Sequence, residues 1–415
     1  MFGLMRFSAA GWPGSCKLLR ICVILGLLAG FALSPKLWLS SRLYPLTPVW
    51  PFLKPLGPPA DRMVFGALLV LLIALLAVWR RGILAAVFAL LLLLALQDES
   101  RWQPWFYQYT FMLLAIALAG RERPSAARNT CRLIVAATYI WSGLAKLNAN
   151  FFENAFAWLV GPLVKGWPAP AHAFVNHLAF VAPCLECAVG IGLLSRRLRP
   201  AAVFFAIAMH AFILLAIGPL GLNYNDVVWP WNLAMMAFVP ILFFRTADRP
   251  TMRDIVWGRG FAFQKVVLVL FALAPILSFF GRWDDYLSSA LYSGNTNFGW
   301  IRLNDDAFNR LPDGIDEYVT TAGPNLNEID LDDWSLGELG VPAYPEIRVF
   351  RSVARAVCGF TADAPSVKLV VKRKRAFAIG KRESVYCCAD LRRSESGSES
   401  SQKHEWPRMN TNKHE

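Results

Sequence analysis

What most limits this chain is a succession of apolar runs bounded by charges or by Pro and Gly clusters. They lie at about 18–34, 63–79, 82–97, 102–120, 131–147, 174–195, 200–218, 227–244 and 261–280. Roughly 17 apolar residues are enough to carry a helix across the hydrocarbon core of a bilayer, where every backbone polar group must be paired internally. The expected fold of residues 1–280 is therefore an all-α polytopic membrane bundle of about nine transmembrane helices. Composition agrees, since 56% of the 415 residues are hydrophobic and only 17% charged. The 16 Trp and 26 Pro suit interfacial belts and loops. No repeat at a fixed period points to a solenoid or propeller. The net charge of +13 is scattered between the apolar runs, which fits positive loops and argues against nucleic-acid binding.

The first run resembles a signal peptide, with Lys17 and Arg20 ahead of it and Ala32 and Ser34 near its end. Pro35 after that point argues for an uncleaved anchor. Arginines then fall in every second connection: Arg80 and Arg81; Arg121, Arg123, Arg128 and Arg132; Arg196, Arg197 and Arg199; Arg245, Arg249, Arg253 and Arg259. Together with Arg6 they predict a cytoplasmic N-terminus in a cell inner or plasma membrane, and nine spans then put the C-terminal segment outside. The connection at 35–62 breaks the pattern with Lys36, Arg42, Lys54 and Arg62.

From Gly281 charges become frequent, and residues 281–393 read as a small extracytoplasmic α+β domain. Tyr344 to Val357 has apolar residues at helical spacing, with Pro345 suited to a first turn. Val367 to Val371 and Glu383 to Leu391 read as strands around Ile379-Gly380-Lys381. Residues 394–415, rich in Ser, Glu, Lys and Asn, read as a disordered tail. An oxidising compartment permits a disulfide from Cys358 to Cys387 or Cys388.

Ionisable side chains at membrane depth are costly and mark candidate sites. Lys146 ends the fifth run beside Asn148 and Asn150. Glu186 falls about 18 Å into the sixth, and His210 about 15 Å into the seventh, from 1.5 Å per residue. Glu186 and His210 are thus expected at similar depth, where they can pair. Asn232, in Trp229-Pro-Trp-Asn232, enters the eighth run from the outer side. The plainer readings are a lysine that snorkels to the interface and an interhelical Glu186–His210 bond that only holds helices together. Tyr139, Trp141, Trp229 and Trp231 are belt aromatics by default; with Asn148 and Asn232 they are also the candidates to line a cofactor pocket. His172 and His177 lack metal-ligand spacing. Cys184-Leu-Glu-Cys187 is a CxxC inside an apolar helix, which favours packing over redox chemistry.

The stretch YIWSGLAKLNANFF, Tyr139 to Phe152, resembles the signature segment of vitamin K-dependent gamma-glutamyl carboxylases and their bacterial relatives, the HTTM superfamily. Tyr139, Gly143, Lys146, Leu147, Asn148, Ala149, Asn150 and Phe151 occupy the matching places, and His210 to Pro219 is similar to a later family segment. The family often shows two adjacent lysines, where this chain has Ala145 before Lys146. The resemblance implies a carboxylase-like or lyase-like enzyme in which Lys146 is the base for a reduced quinone, a vitamin K-like hydroquinone, at the outer face. Such a base needs a desolvated amine. A non-catalytic alternative is a DoxX-like accessory subunit of an extracytoplasmic redox complex, suggested by the short runs, Glu186 and the CxxC, and it implies an extracytoplasmic protein partner. A proton-coupled transporter using Glu186 and His210 is disfavoured, because paired broken helices are not evident.

Overall fold

A computed structural model describes residues 14–244, 248–258, 260–360, 366–374 and 382–393. The expected tail at 394–415 and the turn at Ile379-Gly380-Lys381 lie outside these residues. The helices are α1 (Gly14–Leu33), α2 (Pro35–Trp38), α3 (Ala60–Ala77), α4 (Arg81–Gln97), α5 (Pro104–Ala119), α6 (Pro124–Ala145) and α7 (Phe156–Val164). They continue with α8 (Ala169–His177), α9 (Val181–Leu194), α10 (Arg199–Ile217), α11 (Val228–Phe243), α12 (Met252–Val256) and α13 (Ala262–Val267), the last running on through π and 3-10 turns to Phe280. Proline sets several starts, as in α5 and α6, where its missing N–H costs nothing. Gly120, at φ 62°, stops α5.

Among the described residues, five helical segments are long and apolar enough to cross a membrane: Gly14–Leu33, Ala60–Ala77, Ala169–Leu194, Arg199–Ile217 and Ala262–Phe280. Three other expected spans form apolar helices of 17, 16 and 16 residues, α4, α5 and α11. The remaining one, α6, has 22 residues, with Arg128 and Arg132 in its first half. Both arginines are engaged by Asp248, Arg128 at 3.0 Å and Arg132 at 2.9 Å. A further apolar helix, Phe151–Val164, was not among the expected spans. Helices α5, α6, α9, α10, α11 and α1 each pack on the next, and α1 returns to α5, so the six form a closed ring.

Beyond the bundle come β1 (Phe298–Leu303), α14 (Asp305–Phe308), β2 (Val319–Gly323), β3 (Leu326–Asp330), α15 (Leu331–Leu339), α16 (Ile347–Phe360), β4 (Val367–Arg373), β5 (Arg382–Cys387) and α17 (Cys388–Arg393). The five strands form one antiparallel sheet in the order β2-β3-β1-β4-β5. One face, carrying Ile301, Leu303, Leu369 and Val371, is buried with α15 and α16. Two expectations shift here. The helix starts at Ile347, so Pro345 precedes it, and its carbonyl is held by Asn297 Nδ2 at 2.8 Å. The last strand ends at Cys387 instead of Leu391, because Asp390 Oδ2 accepts from Cys387 N at 3.1 Å and caps a helical turn.

Cys358 is bonded to Cys388, while Cys387 remains a thiol. Successive strand residues point to opposite faces, and Cys387 pairs in register with Lys368, on the side away from α16. The disulfide closes a 30-residue separation, which corresponds to roughly 3.5 kcal/mol of chain entropy. Cys358→Ser is therefore expected to lower the melting temperature of the intact protein by several degrees, and Cys387→Ser to leave it unchanged. The reverse ranking in thermal unfolding would reassign the pairing.

The sheet segment is clasped to the bundle at several points. Glu338 accepts from Leu43 N (2.5 Å) and Tyr44 N (2.8 Å). Asn148 Nδ2 donates to Ser293 O and Asn150 Nδ2 to Gly294 O, at 2.8 and 2.7 Å. Arg348 reaches Glu99 at 2.6 Å and Asp284 at 2.5 Å. Arg42, one of the residues that breaks the charge pattern, is spent on buried Asp98 at 2.5 Å.

Candidate functional site

Helix α6 carries Tyr139, Ser142, Gly143 and, as its C-cap, Lys146. Ser142 and Lys146 are four residues apart and share a helix face. The lysine folds back one turn, so that Nζ donates to Ser142 Oγ (2.6 Å), Ser142 O (3.3 Å) and Glu186 Oε2 (2.7 Å). The two ionic side chains are 14% and 11% exposed, a mostly desolvated pair. The ammonium thus has a carboxylate partner; it is not a lone amine in an apolar chamber.

Glycines bring this pair together. A Cβ at Gly143 would lie 2.6 Å from Cys187 Sγ and 2.8 Å from both Cys187 N and Pro183 O. One at Gly190 would lie 2.6 Å from Ile140 Cγ1 and 2.9 Å from Ala136 O. Helices α6 and α9 therefore meet backbone to backbone, as small residues allow, and Glu186, next to Cys187, lands on Lys146.

The second half of the site links three helices. Tyr139 Oη lies 2.7 Å from His210 Nε2 on α10, and His210 Nδ1 lies 2.7 Å from Asn232 Oδ1 on α11. Asn232 Nδ2 is committed to Val228 O at 2.7 Å, so the atom facing the imidazole is an acceptor and Nδ1 carries the proton. A neutral ring then accepts at Nε2, and Tyr139 donates. Tyr139, His210 and Asn232 are all buried.

The expected Glu186–His210 pair is thus replaced by two others, Glu186 with Lys146 and His210 with Tyr139 and Asn232. The sixth run is one helical segment, Ala169–Leu194, tightened by a 3-10 turn at Leu178–Phe180, and Glu186 lies about 8 Å beyond Val181 along it.

The remaining expected pocket residues are engaged elsewhere. Asn148 holds Ala145 O (2.9 Å) and Ser293 O, and its Oδ1 accepts from Phe151 N (3.0 Å), so it fastens a helix end. Trp141 Nε1 donates to Ala272 O at 3.2 Å. Trp229 donates to Ile217 O and Tyr224 O at 3.2 and 3.3 Å, and Trp231 to Gln108 Oε1 at 2.5 Å. Cys187 packs against Ile140 O at 3.5 Å, and Cys184 is exposed. Ser142 and Gly190 were not singled out from sequence, although the i, i+4 spacing of Ser142 to Lys146 was a readable signal. Comparison of this chain with family models, with curated proteins and with solved structures finds no match.

Proposed function

We propose that this chain is an integral membrane protein of about nine spans whose ring of helices holds an acid–base centre. Lys146 and Glu186 form its proton-exchanging pair, and Tyr139, His210 and Asn232 its relay. The observation that carries the reading is the 2.7 Å contact between Lys146 Nζ and Glu186 Oε2 beside the buried Tyr139–His210 bond. In this reading the N-terminus is cytoplasmic, consistent with the gathering of arginines around Asp248, and the sheet segment clasped next to Lys146 lies outside. The resemblance of Tyr139 to Phe152 to the gamma-carboxylase-like class points to a reduced quinone as the substrate-side reagent. The donor set suits it, since an amine, a carboxylate and a phenol–imidazole pair are groups that can exchange protons with a bound hydroxyl. Such a quinol supplies an acidic hydroxyl, and Lys146 and Glu186 are the residues that would face it.

A second reading is favoured by the satisfied state of the pair: a clamp fastening α6 to α9 in a non-catalytic, DoxX-like accessory subunit. Removing one charge strands the other at a cost of about 3–5 kcal/mol, so the informative variant is K146M/E186Q, which removes both. The enzyme reading expects wild-type membranes to consume added reduced quinone under air. It expects K146M/E186Q to do so about 10³-fold more slowly with its melting temperature preserved. Equal consumption by both proteins, or none by either, overturns that reading in favour of the clamp.

A further inference from the structure

At the arginine-rich end of the bundle, an open groove of about 740 Å³ lies between α12 and the start of α13, lined by Arg253, Asp254, Trp257, Gly258, Gly260 and Lys265. Its walls are pinned. Buried Gln264 donates to Asp254 O (3.0 Å) and Ile255 O (2.6 Å), tying the end of α12 to α13, and Arg123 Nη1 holds Gly260 O at 2.9 Å. The Asp254 carboxylate is occupied by Thr251 N and Oγ1, at 2.8 and 2.6 Å. Other arginines of this end are spent on the protein itself: Arg128 and Arg132 on Asp248, Arg196 and Arg199 on Pro250 O. Arg253 and Lys265 are exposed; among the described residues neither makes a hydrogen bond or a close ion pair, and the carboxylate whose charge Arg253 feels, Asp254, is the one already bonded to Thr251.

The surroundings give the depth of this groove. Trp257 is 62% and Met252 59% exposed, and α13 runs directly into outward-facing Val266, Val269 and Leu273. Two exposed cations therefore lie where the polar loop meets an apolar, membrane-length helix, with an indole at the level that interfacial tryptophans prefer.

We propose that this groove binds the headgroup of an anionic phospholipid, with Arg253 and Lys265 on the phosphate and Trp257 against the glycerol ester region. A free phosphate would use the cations but gain nothing from Trp257 or Val266, whereas a lipid uses both. The proposal needs only that the bundle is embedded in a bilayer, and it is independent of what Lys146 does.

The test uses full-length protein in an uncharged detergent, with lipid binding followed by native mass spectrometry and by melting temperature. Phosphatidylglycerol is expected to bind about 30-fold more tightly than phosphatidylcholine, from two cations at the headgroup layer, and to raise the melting temperature. Millimolar inorganic phosphate is expected to do neither. R253Q/K265Q should lose the preference while melting like the wild type without lipid, and R253K/K265R, which keeps both charges, should retain it. Equal binding of the two lipids, a shift reproduced by inorganic phosphate, a preference surviving in R253Q/K265Q or lost in R253K/K265R would each overturn the proposal.

Discussion

Valine at position 143 is expected to remove the folded protein from the membrane fraction. The first added carbon would fall 2.8 Å from both Cys187 N and Pro183 O, and neither backbone atom can swing aside as a side chain would. Overpacking a well-ordered core costs about 1–3 kcal/mol when side chains can adjust. Here α9 itself must move away, breaking the Lys146–Glu186 contact, so the loss should exceed about 3 kcal/mol, a large share of the stability of most proteins. The control is Gly66→Ala in α3, where a Cβ meets nothing within 4 Å. That change should stabilise by about 0.5–1 kcal/mol. Comparable yields and melting temperatures for G143V and wild type would show that the two helices are not packed through that glycine.

The second large effect is on pH. Arg348 gathers Glu99 (2.6 Å), Asp284 (2.5 Å) and Glu346 (3.6 Å) where the sheet segment meets the bundle. Asp285 N donates to Glu346 Oε1 at 3.0 Å, Asp285 is paired with Lys374, and Tyr344 Oη donates to Asp284 at 2.7 Å. Four carboxylates thus face two cations. Burial first, then the Asp284 and Asp285 charges, pushes Glu346 up to about 8, while burial, only partly offset by Arg348, pushes Glu99 up to about 7. Both carboxyls bind protons more tightly folded than unfolded, where a glutamate titrates near about 4.3. Between pH 4.5 and 8 the folded state therefore holds the extra proton, and stability falls as pH rises through this window. At about 1.4 kcal/mol per pH unit, the Glu346 contribution lost across this window is on the order of 5 kcal/mol. Thermal unfolding should show the sheet segment docked more firmly at pH 5 than at pH 9, and Glu346→Gln should flatten that slope. A profile that rises with pH, or one unchanged in E346Q, would contradict this assignment.

The apolar runs were legible because a bilayer leaves helices few alternatives, and most expected spans reappear as helices within a few residues. Strands β1, β2 and β3 were not anticipated. In Val319–Gly323 none of the five residues is buried, so the pattern lacks the alternation that marks a strand, although Gly323-Pro-Asn325 is a turn signal and Asn325 adopts φ 53°. Of the side chains singled out in the sequence, Lys146 meets Glu186, and Tyr139 meets His210, which meets Asn232. The pairings were beyond reach, because Glu186 meets Lys146 through the close approach of α6 and α9 at Gly143 and Gly190, which no local pattern announces. Asn148 shows the converse: an amide beside a candidate base reads as a ligand contact, yet it fastens a carbonyl 145 positions later in the chain.

That long-range fastening affects how the protein is made. Glu338 completes the backbone pairing of Leu43 and Tyr44, which the ribosome releases 295 and 294 residues earlier. At roughly 5–20 residues per second, the connection between α2 and α3 waits on the order of 15–60 s for its partner. During that interval its amides must be served by water or by cellular insertion factors, and a chain cut short before Glu338 leaves them permanently unanswered and open to quality-control proteases.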